Sequence, residues 1–331
     1  MNASIPNNHL YYRLKPYIPW RVRIALRRWR AKRRRAVFGD CWPILEAAGK
    51  PPEGWPGWPE GKRFAFVLTH DVEGRKGLDR CRQLGELDAR LGFRSAFNFV
   101  PEGNYSVPAG LREQLTADGF EVGVHDLKHD GLLYRSLTAF RDNARRINGY
   151  LKKWNAKGFR SGFMHHNLEW FHQLDILYDA STFDTDPFEP QPDGVETIFP
   201  FWVPGTDGRG FVELPYTLIQ DFNLFVVLQE RTIDIWKKKL DWIVSRGGMV
   251  LLIVHPDYIN FSNSQTGKDE FPASRYEELL NYVKTEYAGL YWPALPREVA
   301  AYIAQTKPAI IRATKSAGRE NRMDLLEQGS Q

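Results

Sequence analysis

The chain has 331 residues, of which 43% are hydrophobic and 14% are aromatic, so it can bury a substantial core in one large domain with appendages. This composition excludes a chain that is disordered throughout. The two cysteines, Cys41 and Cys81, form no CxxC pair, so nothing suggests a disulfide framework or a thiolate zinc site. A reducing compartment is the simpler expectation.

Charge is distributed unevenly along the chain. Residues 1–38, which we call the arm, contain eleven Lys or Arg and no acidic residue, whereas the remainder holds 34 basic and 40 acidic residues. The net charge of +5 therefore originates in the arm, and attraction to phosphates should be a property of the arm alone. We do not expect nucleic-acid binding, because no recognisable binding module accompanies the arginines.

The first predicted element is a basic amphipathic helix in the arm, from Trp20 to Arg35. Basic residues interrupt every apolar run, so the arm resembles neither a secretion signal nor a membrane-spanning helix. A basic helix with tryptophans can lie on an anionic membrane surface, and this is the predicted contact. The alternatives are a solvated helix or one docked on the acidic remainder of the chain. The predicted apolar stripe contains Val22, Ala25, Leu26 and Trp29.

Residues 39–62, rich in Pro, Trp and Gly, are predicted to form a semi-extended connector. Residues 63–305 are predicted to form the catalytic domain, and residues 306–331 a polar tail. Continuous apolar strands alternating with amphipathic helices predict a parallel α/β sheet, open or closed into a barrel. The predicted strands are 64–68, 95–100, 120–124, 159–163, 181–184, 212–215 and 249–254, and the clearest helices are 136–154, 231–245 and 274–286.

Polar residues with catalytic potential lie in or just after these apolar runs. In a parallel α/β sheet the carboxyl ends of the strands meet on one face, where distant side chains can assemble a site. Each residue alone is weak evidence, because a carboxylate after a strand is more often a helix cap and a lone HxxxH is more often a surface or core pair. The residues are Asp71, Glu73, His125, Arg160, Asp184, Asp186 and His255.

The spacing of these residues predicts a metal centre. His125 and His129 are four apart, so on a helical turn both imidazoles would point at one divalent metal. Asp71 and Glu73, two apart on an extended chain, can share a face, whereas His70 should point away from them. Together with the late His255, this set predicts a metal-assisted hydrolase.

The ordered motifs resemble those of the polysaccharide deacetylases of the NodB-homology type, carbohydrate esterase family 4. The resemblance covers about residues 63–305 and does not account for the arm. It implies a distorted (β/α) barrel with fewer than eight strands, a bound divalent metal, for which Zn²⁺ is expected, and removal of N-acetyl groups from chitin-like or peptidoglycan-like sugars. The motifs are Thr69-His70-Asp71-Val72-Glu73, His125-Asp126-Leu127-Lys128-His129, Phe159-Arg160-Ser161-Gly162, Asp184-Thr185-Asp186 and His255.

The chain departs from the family pattern in two places. The usual first motif has adjacent aspartates, whereas here Val72 separates Asp71 from Glu73. The resemblance implies that Asp71 is the base and that Glu73 is the third ligand beside the two histidines, and the reverse assignment stays open. In the third motif Gly162 replaces the usual proline, and Arg160 can still pair with the base.

These residues predict a mechanism. Asp71 would take a proton from water activated by the metal, and His255, titrating near neutrality, would protonate the departing amine. The resemblance implies that Asp184 or Asp186 orients and charges His255.

The expected substrate is an N-acetylated amino sugar of a glycan or of its lipid-linked precursor. We expect a cytoplasmic enzyme, peripheral at the inner face of the membrane. A small-amide hydrolase of the same superfamily and a non-catalytic glycan or membrane module are the alternatives. Five tryptophans are candidates either for stacking on sugar rings or for the core: Trp55, Trp58, Trp170, Trp202 and Trp292.

Overall fold

The computed structural model describes residues 9–39, 42–262 and 267–307. The strands are β1 (Phe64–Val72), β2 (Ala96–Phe99), β3 (Glu121–His125), β4 (Gly158–Arg160), β5 (Tyr178–Asp179), β6 (Phe201–Pro204), β7 (Gly210–Glu213), β8 (Met249–Ile253), β9 (Ile259–Asn260), β10 (Phe271–Pro272) and β11 (Tyr291–Pro293). The helices are α1 (His9–Leu14), α2 (Trp20–Val37), α3 (Arg75–Leu91), α4 (Ala109–Ala117), α5 (Leu137–Trp154), α6 (Asp234–Arg246), α7 (Ala273–Glu286) and α8 (Pro296–Thr306), with a π-helix at Phe222–Val227.

The large sheet is parallel except at one edge. Strand β1 pairs with β8 on one side and with β2 and β11 on the other, and the sheet continues through β3, β4, β5 and β7 to the antiparallel edge strand β6. Beyond β7, the backbone N–H groups of Thr217 and Leu218 donate to the carbonyl of Leu251 in β8, so the sheet curls back toward its own edge. The predicted distorted (β/α) barrel of the NodB type is confirmed, but the large sheet of the described residues has nine strands instead of the fewer than eight that the resemblance implied.

Burial explains why the apolar runs predicted this sheet. All residues of β1 and of β8 are buried, as expected for parallel strands covered by helices on both faces. Strand β1 extends beyond the predicted run to Val72, so Asp71 lies inside the strand. The predicted strand 181–184 does not form, because the sheet pairing of this segment is limited to one bridge between Phe183 and Tyr216. The nearest strand is β5, which lies just before this segment.

Helix ends follow the local sequence. Helix α5 begins directly after Ser136, whose hydroxyl accepts a hydrogen bond from the backbone N–H of Ala139 at 3.1 Å. In the arm, α2 extends to Val37 and buries Ile24 and Ala31. In the described residues we find no helix of the length and apolar character needed to cross a membrane. The predicted tail lies outside the described residues from 308 onward, and so does Cys41.

Most of the candidate tryptophans belong to packed aromatic groups. Trp58 lies 4.9 Å from Trp55 and 6.1 Å from Trp292 between ring centroids, and its indole N–H donates to the carbonyl of Gly247 just before β8. This group therefore packs near the amino ends of β1 and β8. Trp170 packs against Tyr134 and Phe140. Both groups pack against the core, and the group around Trp58 lies away from the carboxyl ends of the strands.

Candidate metal centre

The three predicted metal ligands converge at the carboxyl ends of β1 and β3, the two strands on either side of β2. Glu73 follows β1, His125 is the last residue of β3, and His129 lies in the loop after it. One ligand atom from each of the three lies within 4.8 Å of the others. The Oε1 atom of Glu73 is 3.1 Å from Nε2 of His129, and the two imidazole centroids are 4.9 Å apart.

The predicted helical turn for the two histidines is wrong. His125 pairs with Arg160 in the sheet, and the next backbone N–H, from Asp126, donates to the Arg160 carbonyl at 2.7 Å. Sheet pairing therefore takes the place of a helix here. The chain then turns through positive φ angles at Asp126 and His129, 55° and 56°, which bring the second imidazole back to the first.

The donor set fits a divalent metal. The Nδ1 atom of His125 lies 3.1 Å from the carbonyl oxygen of Arg160, and because a carbonyl only accepts, Nδ1 carries the hydrogen and Nε2 offers its lone pair. Among the described residues, nothing hydrogen-bonds this buried Nε2 atom. Burial lowers the pKa of His125 to about 4, which keeps the imidazole neutral. The Tyr258 hydroxyl donates to Oε2 of Glu73 at 2.8 Å, which leaves Oε1 directed at the histidines.

Asp71 is held as an anion beside this centre. The Asn98 amide donates to its Oδ1 atom at 2.9 Å, and the Arg160 guanidinium lies 3.4 Å from Oδ2. Burial acts to raise the pKa of Asp71, but the positive charge of Arg160 and the nearby imidazoles lower it below its usual value. Gly123 lies opposite Asn98 in the sheet, and a Cβ there would come within 2.1 Å of the Asn98 side-chain oxygen. An ionised carboxylate in this position can accept a proton.

His255 lies after β8 and is paired with an aspartate that the sequence did not single out. Its Nδ1 atom is 2.6 Å from Oδ1 of Asp221, and its backbone N–H donates to the other carboxylate oxygen at 2.8 Å. Burial acts to lower the pKa of His255, but the Asp221 carboxylate raises it to about 10 instead of leaving it near neutrality. The Nε2 atom lies 3.9 Å from Oε1 of Glu73, so the charged ring borders the metal centre.

The prediction that Asp184 or Asp186 orients His255 is wrong, because their oxygens accept from other donors. Lys239 forms a buried ion pair with Asp184 at 2.8 Å. The Tyr216 hydroxyl and the Asn223 amide donate to Asp186 at 2.8 and 3.1 Å. Both carboxylates therefore belong to a buried polar network.

Sequence reasoning missed Asn98, Asp221 and Tyr258, and also Asp257, which accepts from the backbone N–H of Glu73 at 3.0 Å. Asp257 thereby fixes the loop that carries this ligand. The available signal was a polar residue inside an apolar run, as for Asn98 between two phenylalanines.

The remaining histidines near the site pack against other groups. His70 turns away from Asp71, as expected, toward Asp88 at 2.9 Å. His166 donates through Nδ1 to the carbonyl of Met164 at 3.0 Å.

The arm borders the metal centre. The Tyr12 hydroxyl lies 3.0 Å from Nε2 of His165. The ammonium of Lys15 lies 3.7 Å from the centre of the Phe163 ring, which in turn lies 4.4 Å from the ring of His129. Burial lowers the pKa of Lys15 to about 8. These contacts make the arm part of the wall around the site.

No protein-family model matches the sequence, and no curated protein matches it significantly. Among solved structures, a protein from Mycobacterium smegmatis assigned as a polysaccharide deacetylase superposes with a TM-score of 0.59 at 17% identity, covering 81% of this chain and 99% of that one. A family 4 acetyl xylan esterase from Clostridium thermocellum, in complex with a cobalt ion, has a TM-score of 0.43 at 13% identity, covering 76% and 98%.

A protein from Bordetella bronchiseptica, assigned as a polysaccharide deacetylase involved in O-antigen biosynthesis, has a TM-score of 0.41 at 17% identity, covering 82% and 93%. The chain has the polysaccharide-deacetylase fold that its motifs predicted.

Proposed function

We propose that this chain is a metal-dependent hydrolase that removes N-acetyl groups from amino sugars of a glycan or of its lipid-linked precursor. One observation carries the proposal: a Glu73, His125 and His129 cluster within 4.8 Å, bordered by a carboxylate held as an anion and by a histidine held as a cation. An acid and a base with opposite charge states beside one metal centre are the groups that amide hydrolysis needs.

The donor set of two imidazoles and one carboxylate suits Zn²⁺. Such an ion, when bound, acidifies water and polarises the substrate carbonyl. Asp71 then accepts the proton of the attacking water, and Asn98 and Arg160 hold its carboxylate in place.

His255 supplies the second proton transfer. The hydroxyl group of the water adds to the acetyl carbon, and Nε2 of His255 donates a proton to the amine nitrogen as the C–N bond breaks. The free amine and acetic acid leave, and the acid releases its proton to solvent as acetate. Asp221 positions this imidazolium and stabilises its charge through Nδ1. Amide hydrolysis regenerates the starting enzyme once the two groups have exchanged protons with solvent.

The experiment combines metal analysis of the purified protein with acetate release from N-acetylated amino-sugar oligomers. The His125→Ala variant should lose metal and activity together, because the remaining two ligands cannot complete the centre. The His172→Ala variant is the matched control, since His172 is half-buried beside Phe211, outside the cluster.

Each alternative has its own outcome in this experiment. Full metal occupancy in His125→Ala would contradict the proposed centre. A protein that holds no metal would be a non-catalytic module. Turnover of small cyclic amides in place of the amino-sugar oligomers would identify a small-amide hydrolase.

A further inference from the structure

The exposed apolar surface of this protein is concentrated in the arm. Among the residues that the structure describes, nine large hydrophobic side chains are exposed, and all but Leu137 and Leu290 belong to the arm. An exposed apolar patch of this kind marks an interaction surface. The arm members are Tyr11, Leu14, Tyr17, Trp20, Val22, Leu26 and Trp29.

Helix α2 has an inner face that is already bound to the rest of the chain. Ile24 and Ala31 are buried there, and Arg28 donates to the carbonyl of Val226 in the π-helix at 3.0 Å. Arg27 donates to the Asn223 side chain at 3.2 Å. The alternative of a helix docked on the remainder of the chain therefore applies to this inner face. The predicted apolar stripe takes no part in this docking.

The opposite side of α2, which we call the outer face, consists of that stripe and its basic neighbours. Val22, Leu26 and Trp29 are 48%, 55% and 52% exposed, so their apolar area is available to a partner. Arg30, Lys32 and Arg33 are exposed beside them. Within the described part of the chain, none of these three basic side chains pairs with a carboxylate.

A cleft with basic side chains lies next to the outer face. It has a volume of about 270 Å³ and lies between α2 and the end of the π-helix. Its lining combines the ring of Trp29 with three basic side chains, Arg28, Lys32 and Arg35, and with residues 227–229. Arg35 already pairs with Glu230, and Arg28 donates to the carbonyls of Val226 and Lys268. Lys32 is therefore the member of this lining that offers its charge to a lipid phosphate.

The charge and the apolar side chains of the outer face together favour one kind of partner. A second copy of the chain, bound face to face, would bring two sets of unpaired cations together, which is repulsive. Duplex DNA would satisfy the cations but would leave Leu26 and Trp29 in water. An anionic bilayer satisfies both, because phosphates lie at its surface and hydrocarbon lies just below.

The arm also links this surface to the metal centre. Tyr12 contacts His165, and Lys15 lies over Phe163 beside His129, whereas Tyr17 of the same segment is 84% exposed. The segment that borders the metal centre therefore leads directly into α2, so a membrane on the outer face would contact the same arm that lines the site.

We propose that the outer face of the arm docks on anionic phospholipid membrane and presents the metal centre to an amino sugar carried on a membrane lipid. Only the nature of this substrate rests on the proposed function. Surface binding itself can be measured without turnover.

The test measures co-sedimentation of the full chain with phosphatidylcholine vesicles, with and without phosphatidylglycerol. The chain should bind only the anionic vesicles, and added salt should weaken binding because the charges are screened over about 10 Å at 0.1 M. Replacing Arg30, Lys32 and Arg33 by Gln should weaken binding on the order of 10²-fold. Replacing Val22, Leu26 and Trp29 by Ser should weaken it as well.

The matched control replaces Arg141, Lys152 and Lys153 by Gln, which removes the same charge from exposed positions of α5. It should bind as the original chain does. All three variants should keep the original melting temperature, because the changed side chains are exposed.

Several results would overturn the proposal. The original chain could fail to bind anionic vesicles, or the control substitutions could weaken binding as much as the test substitutions. The chain could also prefer duplex DNA, or light scattering could show a dimer that the Ser variant dissociates.

The activity of the variants separates docking from the proposed function. Acetate release from a soluble oligomer should be unchanged in all variants. If the original chain binds vesicles but hydrolyses nothing, docking stands and the proposed function fails.

Discussion

A carboxylate oxygen of Asp221 lies 2.6 Å from Nδ1 of His255, although the two residues are 34 positions apart. The second oxygen accepts the backbone N–H of His255 at 2.8 Å, so one side chain fixes both the ring and its backbone. Asp221 also caps the π-helix that packs on α2, through a bond from the N–H of Phe222. The proposed general acid is thus positioned by the element on which the arm docks.

Asp221→Asn should lower kcat by a factor on the order of 10² to 10⁴ while metal content stays the same. The amide keeps the shape but removes the negative charge that favours the imidazolium. Turnover and metal content of the same preparation are the measurements. Unchanged kcat would contradict the role given to Asp221.

Asp71→Asn should keep the metal and lose at least about 10² in kcat, because the amide cannot accept a proton. Glu73→Gln should instead lose the metal, because it removes a charged ligand. Metal analysis of the two variants side by side decides the assignment that the sequence left open. If Asp71→Asn loses the metal and Glu73→Gln keeps it, the two roles are reversed.

Lys239→Met should destabilise the fold by about 3–5 kcal/mol, because it leaves Asp184 buried without its partner. Adding Asp184→Leu should recover much of this loss, since it removes the uncompensated charge. Denaturant unfolding measures both. Lys237→Met is the control: its pair with Glu278 is largely exposed and should contribute only about 0–1 kcal/mol. An equal loss of unfolding free energy in the two Lys variants would contradict the larger contribution expected of the buried pair.

Gly162→Ala should weaken metal binding by about 10- to 100-fold, the usual effect of disturbing the groups around metal ligands. A Cβ at this position would lie 2.8 Å from Cδ2 of His129 and 2.5 Å from Oδ2 of Asp126, so the ligand must shift. Gly149→Ala is the control, because a Cβ there meets nothing within 4 Å. Metal titration of both variants is the measurement, and equal affinities would rule out this role for Gly162.

Glu270→Gln should reduce stability at neutral pH and have no such effect near pH 2. Burial acts to raise the pKa of Glu270, but bonds from Lys76 and Arg80 lower it to about 2 from 4.5. Because the pKa of Glu270 is lower in the folded chain than in the unfolded chain, its ionised carboxylate stabilises the fold above pH 4.5. This stabilisation is lost as the pH falls toward 2. Unfolding free energies between pH 2 and pH 7 test this, with exposed Glu286→Gln as the control. A constant difference across the range would contradict it.

The parallel sheet was predictable because buried strands must be apolar on both faces, and this pattern is local. The same reasoning predicted that Asp71, Glu73, His125 and His255 would meet, since parallel strands end on one face. Edge strand β6 was not predictable in this way. It is partly exposed and contains Pro204, so its sequence carries no buried-strand pattern.

The sequence by itself determined which chemical groups reach the carboxyl ends of the strands and that the arm carries the positive charge. Only the tertiary structure decided which of several aspartates pairs with His255, because Asp184, Asp186 and Asp221 all lie in segments without a regular period. It also decided which face of α2 is free: an amphipathic pattern reveals two faces, but which one turns inward depends on the surface that the rest of the chain offers. That surface forms only when residues far apart in sequence pack together.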